Sequence, residues 1–156
     1  RFQNLPTRLC VADVENSVFF DAYRSGDLRV TSAKPSRIEG IGRPRVEPSF
    51  VPGVIDCMLR IPDAASIAAA HVLSERLFRR VGGSTGTNFM ALLYMAARML
   101  REGAEGSLVT LICDSGDRYA STYYNPDWLK ENRLEVDSHK SRILRFIETG
   151  SGLDAP

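Results

Sequence analysis

Leu108-Val109-Thr110-Leu111-Ile112-Cys113-Asp114-Ser115-Gly116-Asp117-Arg118-Tyr119 begins as an unbroken run of aliphatic and β-branched residues and breaks off into Asp-Ser-Gly. This pattern predicts a strand buried on both faces that opens at its carboxyl end into a polar turn. In open α/β sheets ligands bind at that end of the strands. Ser115 is therefore a candidate binding residue, with the plainer alternative that a serine in a strand-end turn serves only the turn.

Working outward, residues 89–102 form a helical pattern ended by Gly103, with Met90, Leu93, Tyr94, Ala97, Met99 and Leu100 as core filling. Ahead of it, Gly82-Gly83-Ser84-Thr85-Gly86-Thr87-Asn88 reads as a turn whose hydroxyls and free N–H groups suit either an anion or an ordinary cap. Residues 64–80 predict a second helix with Asp63 as its N-cap, and His71 falls beside its apolar side, where a packing role outweighs a catalytic one. Residues 58–61 predict a strand. Residues 7–12 predict another, stopping at Asp13, followed by a helix capped by Asn16 or Ser17 and ended by Gly26. Between them, residues 27–52 hold Pro35, Pro44, Pro48 and Pro52 and predict a long irregular loop. Loops of that length tend to be functional. This one contains Ile38-Glu39-Gly40-Ile41-Gly42, flanked by Arg37, Arg43 and Arg45, which either grips an anionic ligand or is a solvated turn. Beyond the opening stretch lie an aromatic patch, Tyr123-Tyr124-Asn125-Pro126-Asp127-Trp128, with Asp127 as a helix cap, and a charged segment carrying the stripe Ile143, Leu144, Phe146, Ile147. Residues 150–156 are expected to fray.

The bulk properties fit a single soluble domain. A chain of 156 residues buries roughly 70% of its unfolded surface. Its 44% hydrophobic and 25% charged residues are ordinary, and no apolar run reaches the ~18 residues of a membrane span. A net charge of +1 supplies no field for nucleic acid or a membrane surface. Cys10, Cys57 and Cys113 are far apart in sequence and odd in number, which argues against a disulfide framework or a zinc site and for buried thiols in a reducing cytoplasm. His71 and His139 share no metal-ligand spacing, so no metal site is expected. No G-x-G-x-x-G precedes Asp13, which argues against dinucleotide binding. The chain begins Arg1-Phe2-Gln3, with neither an initiator Met nor a signal-peptide pattern, as expected of a piece of something longer.

Two chemistries compete. Gly82-Gly83-Ser84-Thr85-Gly86 satisfies G-x-S-x-G, and Asp114 and His139 follow Ser84 in the order of the α/β-hydrolases. That elbow needs a strand immediately before the serine, whereas residues 76–80 read as the end of a helix, so the serine hydrolase is the weaker reading.

The second follows from resemblance. Ile38-Glu39-Gly40-Ile41-Gly42, Gly82-Gly83-Ser84-Thr85-Gly86 and Cys113-Asp114-Ser115-Gly116-Asp117-Arg118-Tyr119, in this order, resemble the C-terminal half of the cysteine synthase and cystathionine β-synthase family. These are pyridoxal-phosphate (PLP) enzymes of fold type II. The stretch from Gly42-Arg43-Pro44-Arg45 to Tyr123 is most similar to bacterial cysteine synthase-like proteins that include L-cysteine desulfhydrases. The resemblance covers about residues 5–130. It implies an α/β fold, three-layer αβα with a mainly parallel sheet, the C-terminal large-domain part of a tryptophan synthase β-like enzyme over residues 1–135, with 136–156 a charged extension bearing a short amphipathic helix. It implies β-elimination or β-replacement on L-cysteine or an O-activated serine.

By the same resemblance, Ser115 of the Asp114-Ser115-Gly116 turn hydrogen-bonds the pyridine nitrogen of PLP, and Gly40, Ile41 and Gly42 lie against cofactor and substrate. A neutral hydroxyl does not hold that nitrogen protonated, which makes the ring a weaker electron sink and favours prompt loss of a β-leaving group. The family's Schiff-base lysine, substrate-carboxylate loop and phosphate loop lie upstream of the matched segment, and Lys34, Lys130 and Lys140 do not match the lysine's context. No catalytic residue is therefore expected within this segment. Gly82 to Gly86 becomes a strand-to-helix turn behind the site. The implied partners are the missing N-terminal half, on the same or another chain, an amino-acid substrate and a second subunit of a cytoplasmic homodimer, with neither nucleic acid nor membrane involved. A non-catalytic binding or regulatory half is the alternative.

Overall fold

The computed structural model describes residues 6–154; the Arg1-Phe2-Gln3 start and the last two residues of the tail expected to fray lie outside the described residues. Strand β1 (Cys10–Val14) and strand β2 (Cys57–Ile61) pair in parallel, in the register Cys10 with Cys57 through Val14 with Ile61. They are joined by helix α1 (Phe19–Ser25), the long loop and a short 3₁₀ turn over Pro52–Val54. Helices α2 (Asp63–Leu77), α3 (Gly83–Glu102), α4 (Pro126–Glu131) and α5 (Val136–Thr149) follow, giving the expected α/β class with a small parallel sheet. No helix among the described residues is long and apolar enough to cross a membrane.

Side chains alternate across a strand, so the partners Val14 and Ile61, both fully buried, share a face with Ala12, Leu59 and the cysteine pair. That face meets the helices. The opposite face carries Asp13 and Arg60. The Arg60 guanidinium lies 4.5 Å from the centre of the Phe20 ring and forms an ion pair with Asp21, which ties α1 to β2.

Helix α2 is the centre of the molecule, with Ala65, Ile67, Ala68, Ala69, Ala70 and Val72 all buried on several sides. A helix hydrophobic nearly all round must be covered nearly all round. Helix α3 covers it on one side and α5 on another. Close approach to α3 is set by Gly86: a Cβ there would lie 2.0 Å from the Ser66 carbonyl oxygen. Beside it the Thr87 hydroxyl donates to Ser66 Oγ at 2.9 Å.

Several boundaries differ from expectation, each for a local reason. β1 runs on through Asp13, whose buried carboxylate accepts from Phe20 N–H at 2.8 Å; Ser17 Oγ accepts from Phe19 N–H at 3.5 Å, but Val18, not Asn16 or Ser17, holds the N-cap position of α1. Asp63 is the first residue of α2 rather than its cap; Pro62 holds the N-cap position, and the Asp63 side chain is buried. Helix α2 stops at Phe78, which takes a left-handed conformation (φ 54°) and lends its N–H to Ser74 O. Helix α3 starts at Gly83, six residues ahead of expectation, because its small first turn is what fits against α2. Asn125, not Asp127, caps α4, its Oδ1 accepting from Asp127 N–H at 2.9 Å. Helix α5 is 14 residues long, and Val136, Ile143 and Phe146 enter the same core, joined by Leu153 in the tail expected to fray. Arg101 forms an ion pair with Asp154.

The largest correction concerns the opening stretch. Residues 108–113 form no strand, and Val109 and Leu111 are 91% and 71% exposed. Neither β1 nor β2 lies alongside, so the run has no sheet to enter. Its second half is held to α3 and the turn before it: Asn88 Nδ2 donates to Leu111 O at 3.4 Å, Cys113 N–H to Thr85 Oγ1 at 2.9 Å, and Gly82 N–H to Asp114 O at 3.0 Å.

Candidate functional site

The Asp-Ser-Gly turn is held against the junction between α2 and α3. Ser115 bridges Val81 in antiparallel fashion, and Gly116 N–H donates to Arg80 O at 3.0 Å. A Cβ on Gly116 would lie 2.5 Å from Val81 O, so the turn and the junction fit only with glycine there. Ser115 then caps a 3₁₀ turn over Gly116–Tyr119. Its Oγ accepts from Asp117 N–H at 3.3 Å and donates to Asp117 Oδ2 at 2.9 Å, and the residue is exposed.

Asp114 points the other way. Its Oδ2 accepts from Tyr119 OH at 2.8 Å, while Oδ1 is buried with no hydrogen-bond partner, against Gly82, whose Cβ would fall 1.7 Å from it. Burial, then the bond to Asp114 and its charge, push the Tyr119 phenol up to about 12, so it stays a neutral donor. The Tyr119 ring stacks on Tyr123 with centroids 4.6 Å apart. The Tyr123 hydroxyl accepts from Glu39 N–H at 2.9 Å and donates to Arg37 O at 2.8 Å. Two stacked tyrosines thus connect the Asp-Ser-Gly turn to the Gly40-Ile41-Gly42 loop across the fold.

Within that loop Ile38 is the anchor, 1% exposed, with its N–H donating to Ser36 Oγ at 3.1 Å. The two glycines both have positive φ, +85° at Gly40 and +79° at Gly42, a region where L side chains are strained. Their surroundings differ. A Cβ on Gly42 would meet Ser36 Cβ and Val14 Cγ2 at 2.7 Å, whereas one on Gly40 would meet nothing within 4 Å. Ile41 packs against the core. The loop lines a cavity of about 340 Å³, whose rim includes Lys34, Glu39 and Arg43.

Of the residues expected at a site, Gly40, Ile41, Gly42 and Asp114 are joined through the tyrosine pair, and Ser115 stands on the solvent side of the same turn. Ser84 lies in the first turn of α3, and no strand precedes it, so the setting required of a nucleophile elbow is absent among the described residues. His139 is on α5, where burial and the Arg142 charge hold its imidazole below its usual range. His71 has the packing role expected of it: its Nε2 lies 2.7 Å from Tyr123 O, and its ring stacks on Tyr124 at 4.8 Å. The tyrosine pair is what the sequence reading missed. Its signal was Tyr119 just past the Asp-Ser-Gly turn and Tyr123 at the head of the aromatic patch.

Gly40 leaves open space where any other residue would place a side chain, and Ser115 offers a hydroxyl at the open side of a rigid turn. To donate to a ring nitrogen, the Ser115 O–H has to leave Asp117 Oδ2, a rotation about one side-chain bond.

No protein-family model matches the chain. Individual proteins do. L-cysteine desulfhydrase Cds1 of Mycobacterium tuberculosis is 51% identical over 146 residues, covering 94% of this chain and 40% of its own length. Cysteine synthase 2 of Neurospora crassa is 30% identical over 155 residues, covering 92% of this chain and 33% of its own. Cysteine synthase 2 of Schizosaccharomyces pombe is 27% identical over 151 residues, covering 90% and 37%. The chain thus spans between 33% and 40% of the length of these three relatives. With 94% of it aligned at 51% identity to a desulfhydrase and most of it aligned to two cysteine synthases, the chain is similar, over nearly all of its own length, to a part of cysteine synthase-family proteins.

Proposed function

We propose that this chain forms one wall of the PLP site of an enzyme that acts on L-cysteine or an O-activated serine by β-elimination or β-replacement, with cysteine desulfhydration the favoured activity. PLP, when bound, serves as the sink for the electron pair released at the substrate α-carbon. The observation that carries the reading is the pairing of an exposed Ser115 hydroxyl with an open-faced Gly40, held in one framework by Tyr119 and Tyr123. Ser115 donates to the ring nitrogen and leaves it uncharged. Gly40, Ile41 and Gly42 present backbone to the cofactor and substrate. Asp114, bonded to Tyr119, fixes the turn from behind.

On this reading the lysine that binds the cofactor, the phosphate grip and the substrate-carboxylate loop are supplied from upstream of the matched segment. The chain by itself is therefore proposed to be inactive, and the working enzyme to be a homodimer of the longer protein. The test is sulfide release from L-cysteine by the full-length protein loaded with PLP. Sulfide formation that falls at least tenfold in Ser115→Ala supports the reading. A full-length protein that takes up no PLP and releases no sulfide overturns it in favour of a binding module.

A further inference from the structure

The three cysteines look unrelated in sequence, yet the sheet places two of them side by side. Cys10 opens β1 and Cys57 opens β2, and they are register partners, so both side chains leave the same face of neighbouring strands. Adjacent strands run about 4.8 Å apart. That spacing lies inside the window of about 4.4–6.8 Å between Cα atoms that a disulfide needs. Both residues are free thiols and only half-buried, at the end of the sheet where exposed Leu9 leads into β1. The two side chains interact directly, and the Arg98 guanidinium on α3 acts on both. Cys113, by contrast, is exposed, beside Asn88 and Thr85.

We propose that Cys10 and Cys57 form a cross-strand dithiol that closes reversibly to a disulfide by exchange with low-molecular-weight disulfides. Burial, and then the neighbouring sulfur, push the Cys10 thiol up. The first of the two thiols to lose its proton forms, as a thiolate, a bond to one sulfur of the small disulfide and expels the other half as a thiolate, which is then protonated. The second protein thiol then gives its proton to water, attacks the first cysteine's sulfur in the mixed disulfide and expels the second small thiol. Two protein thiols and one small disulfide become one protein disulfide and two small thiols. The protein loses two electrons, the small molecule gains them, and no other oxidant takes part. Closing the bond links β1 to β2 across the loop that carries Gly40 and Gly42. The inference rests on the strand register and stands apart from the proposed activity.

The test uses the full-length protein and bis(2-hydroxyethyl) disulfide, a small neutral reagent that is not an amino acid. Folded protein is exposed under conditions that modify every thiol of a urea-unfolded control, then alkylated, digested and mapped by mass spectrometry. The expected result is a peptide pair joined through Cys10 and Cys57, two hydrogens lighter than its reduced parts and separated again by dithiothreitol. In Cys10→Ser, Cys57 should instead retain one reagent half as a mixed disulfide. Recovery of Cys10 and Cys57 from the folded wild type as free thiols, as separate adducts or joined to other cysteines overturns the proposal. Because the wild-type map decides, it holds even if the serine variant fails to fold.

Discussion

Gly40 and Gly42 share left-handed backbone angles two residues apart and answer to different neighbours. Alanine at Gly42 drives a methyl into Ser36 and Val14 at 2.7 Å besides the conformational strain, so Gly42→Ala should cost about 2–4 kcal/mol in urea denaturation. Alanine at Gly40 meets no atom and should cost only the strain, about 1–2 kcal/mol, while weakening cofactor retention out of proportion to that loss. Equal stability losses at the two positions would contradict the distinction. Asp63 is a second residue whose setting makes a prediction. It is 2% exposed, its Oδ1 has no hydrogen-bond partner, and burial together with the Glu15 carboxylate pushes it up to about 6 from an ordinary 3.8. The folded state therefore binds this proton more tightly than the unfolded state does. The resulting stabilisation is present below about pH 4 and is lost as pH rises through about 6, on the order of 3 kcal/mol in all. Asp63→Asn should flatten that part of the stability profile; an unaltered slope between pH 4 and 7 would show that Asp63 ionises freely. None of this was legible from the sequence, where Asp63 looked like a helix cap and the two glycines looked alike, because burial and positive φ are decided by partners distant in the chain.

At the scale of elements, the contact between α2 and α3 depends on Gly86. A Cβ there would fall 2.0 Å from a main-chain oxygen, which no rotamer change can relieve. Gly86→Ala should destabilise the protein by about 3 kcal/mol or more, seen as a lowered melting temperature. A melt within error of the wild type would mean that the helices are not in close contact at this point. The sequence showed both helices and the stop at Gly103, since apolar spacing and a terminal glycine are local signals. It did not show that α3 begins at Gly83, because a turn-like run of Gly, Ser and Thr becomes helix only when a neighbour rewards small side chains. Helix α5 was half legible for a similar reason. The stripe at Ile143, Leu144, Phe146 and Ile147 was visible, but docking against α2 is a tertiary event. Ile143 is fully buried, and Ile143→Ala should cost about 2–5 kcal/mol by chemical denaturation if α5 belongs to the core.

At the scale of the whole molecule, the run at residues 108–113 was read for what it would be inside a sheet, and its composition still suits that setting. The structure holds it through the Leu111 carbonyl and the Cys113 amide and leaves the Val109 and Leu111 side chains in solvent. The chain spans 40% of the length of the desulfhydrase it matches at 51% identity, which leaves room for strands to flank the run in a longer protein. Amide exchange at residues 108–113 should accordingly be fast in this chain alone and slowed in a full-length protein, and equal rates would count against a sheet partner for the run. The functional claim narrows to one atom pair at the end of that run, Ser115 Oγ and the pyridine nitrogen of PLP. Nitrogen-15 NMR of full-length protein loaded with ring-labelled PLP measures that pair directly. We predict a resonance typical of a neutral, hydrogen-bonded pyridine in the wild type, moving toward that of an unbonded pyridine in Ser115→Ala. A resonance at the protonated pyridinium position, or one that Ser115→Ala leaves in place, would contradict the assignment.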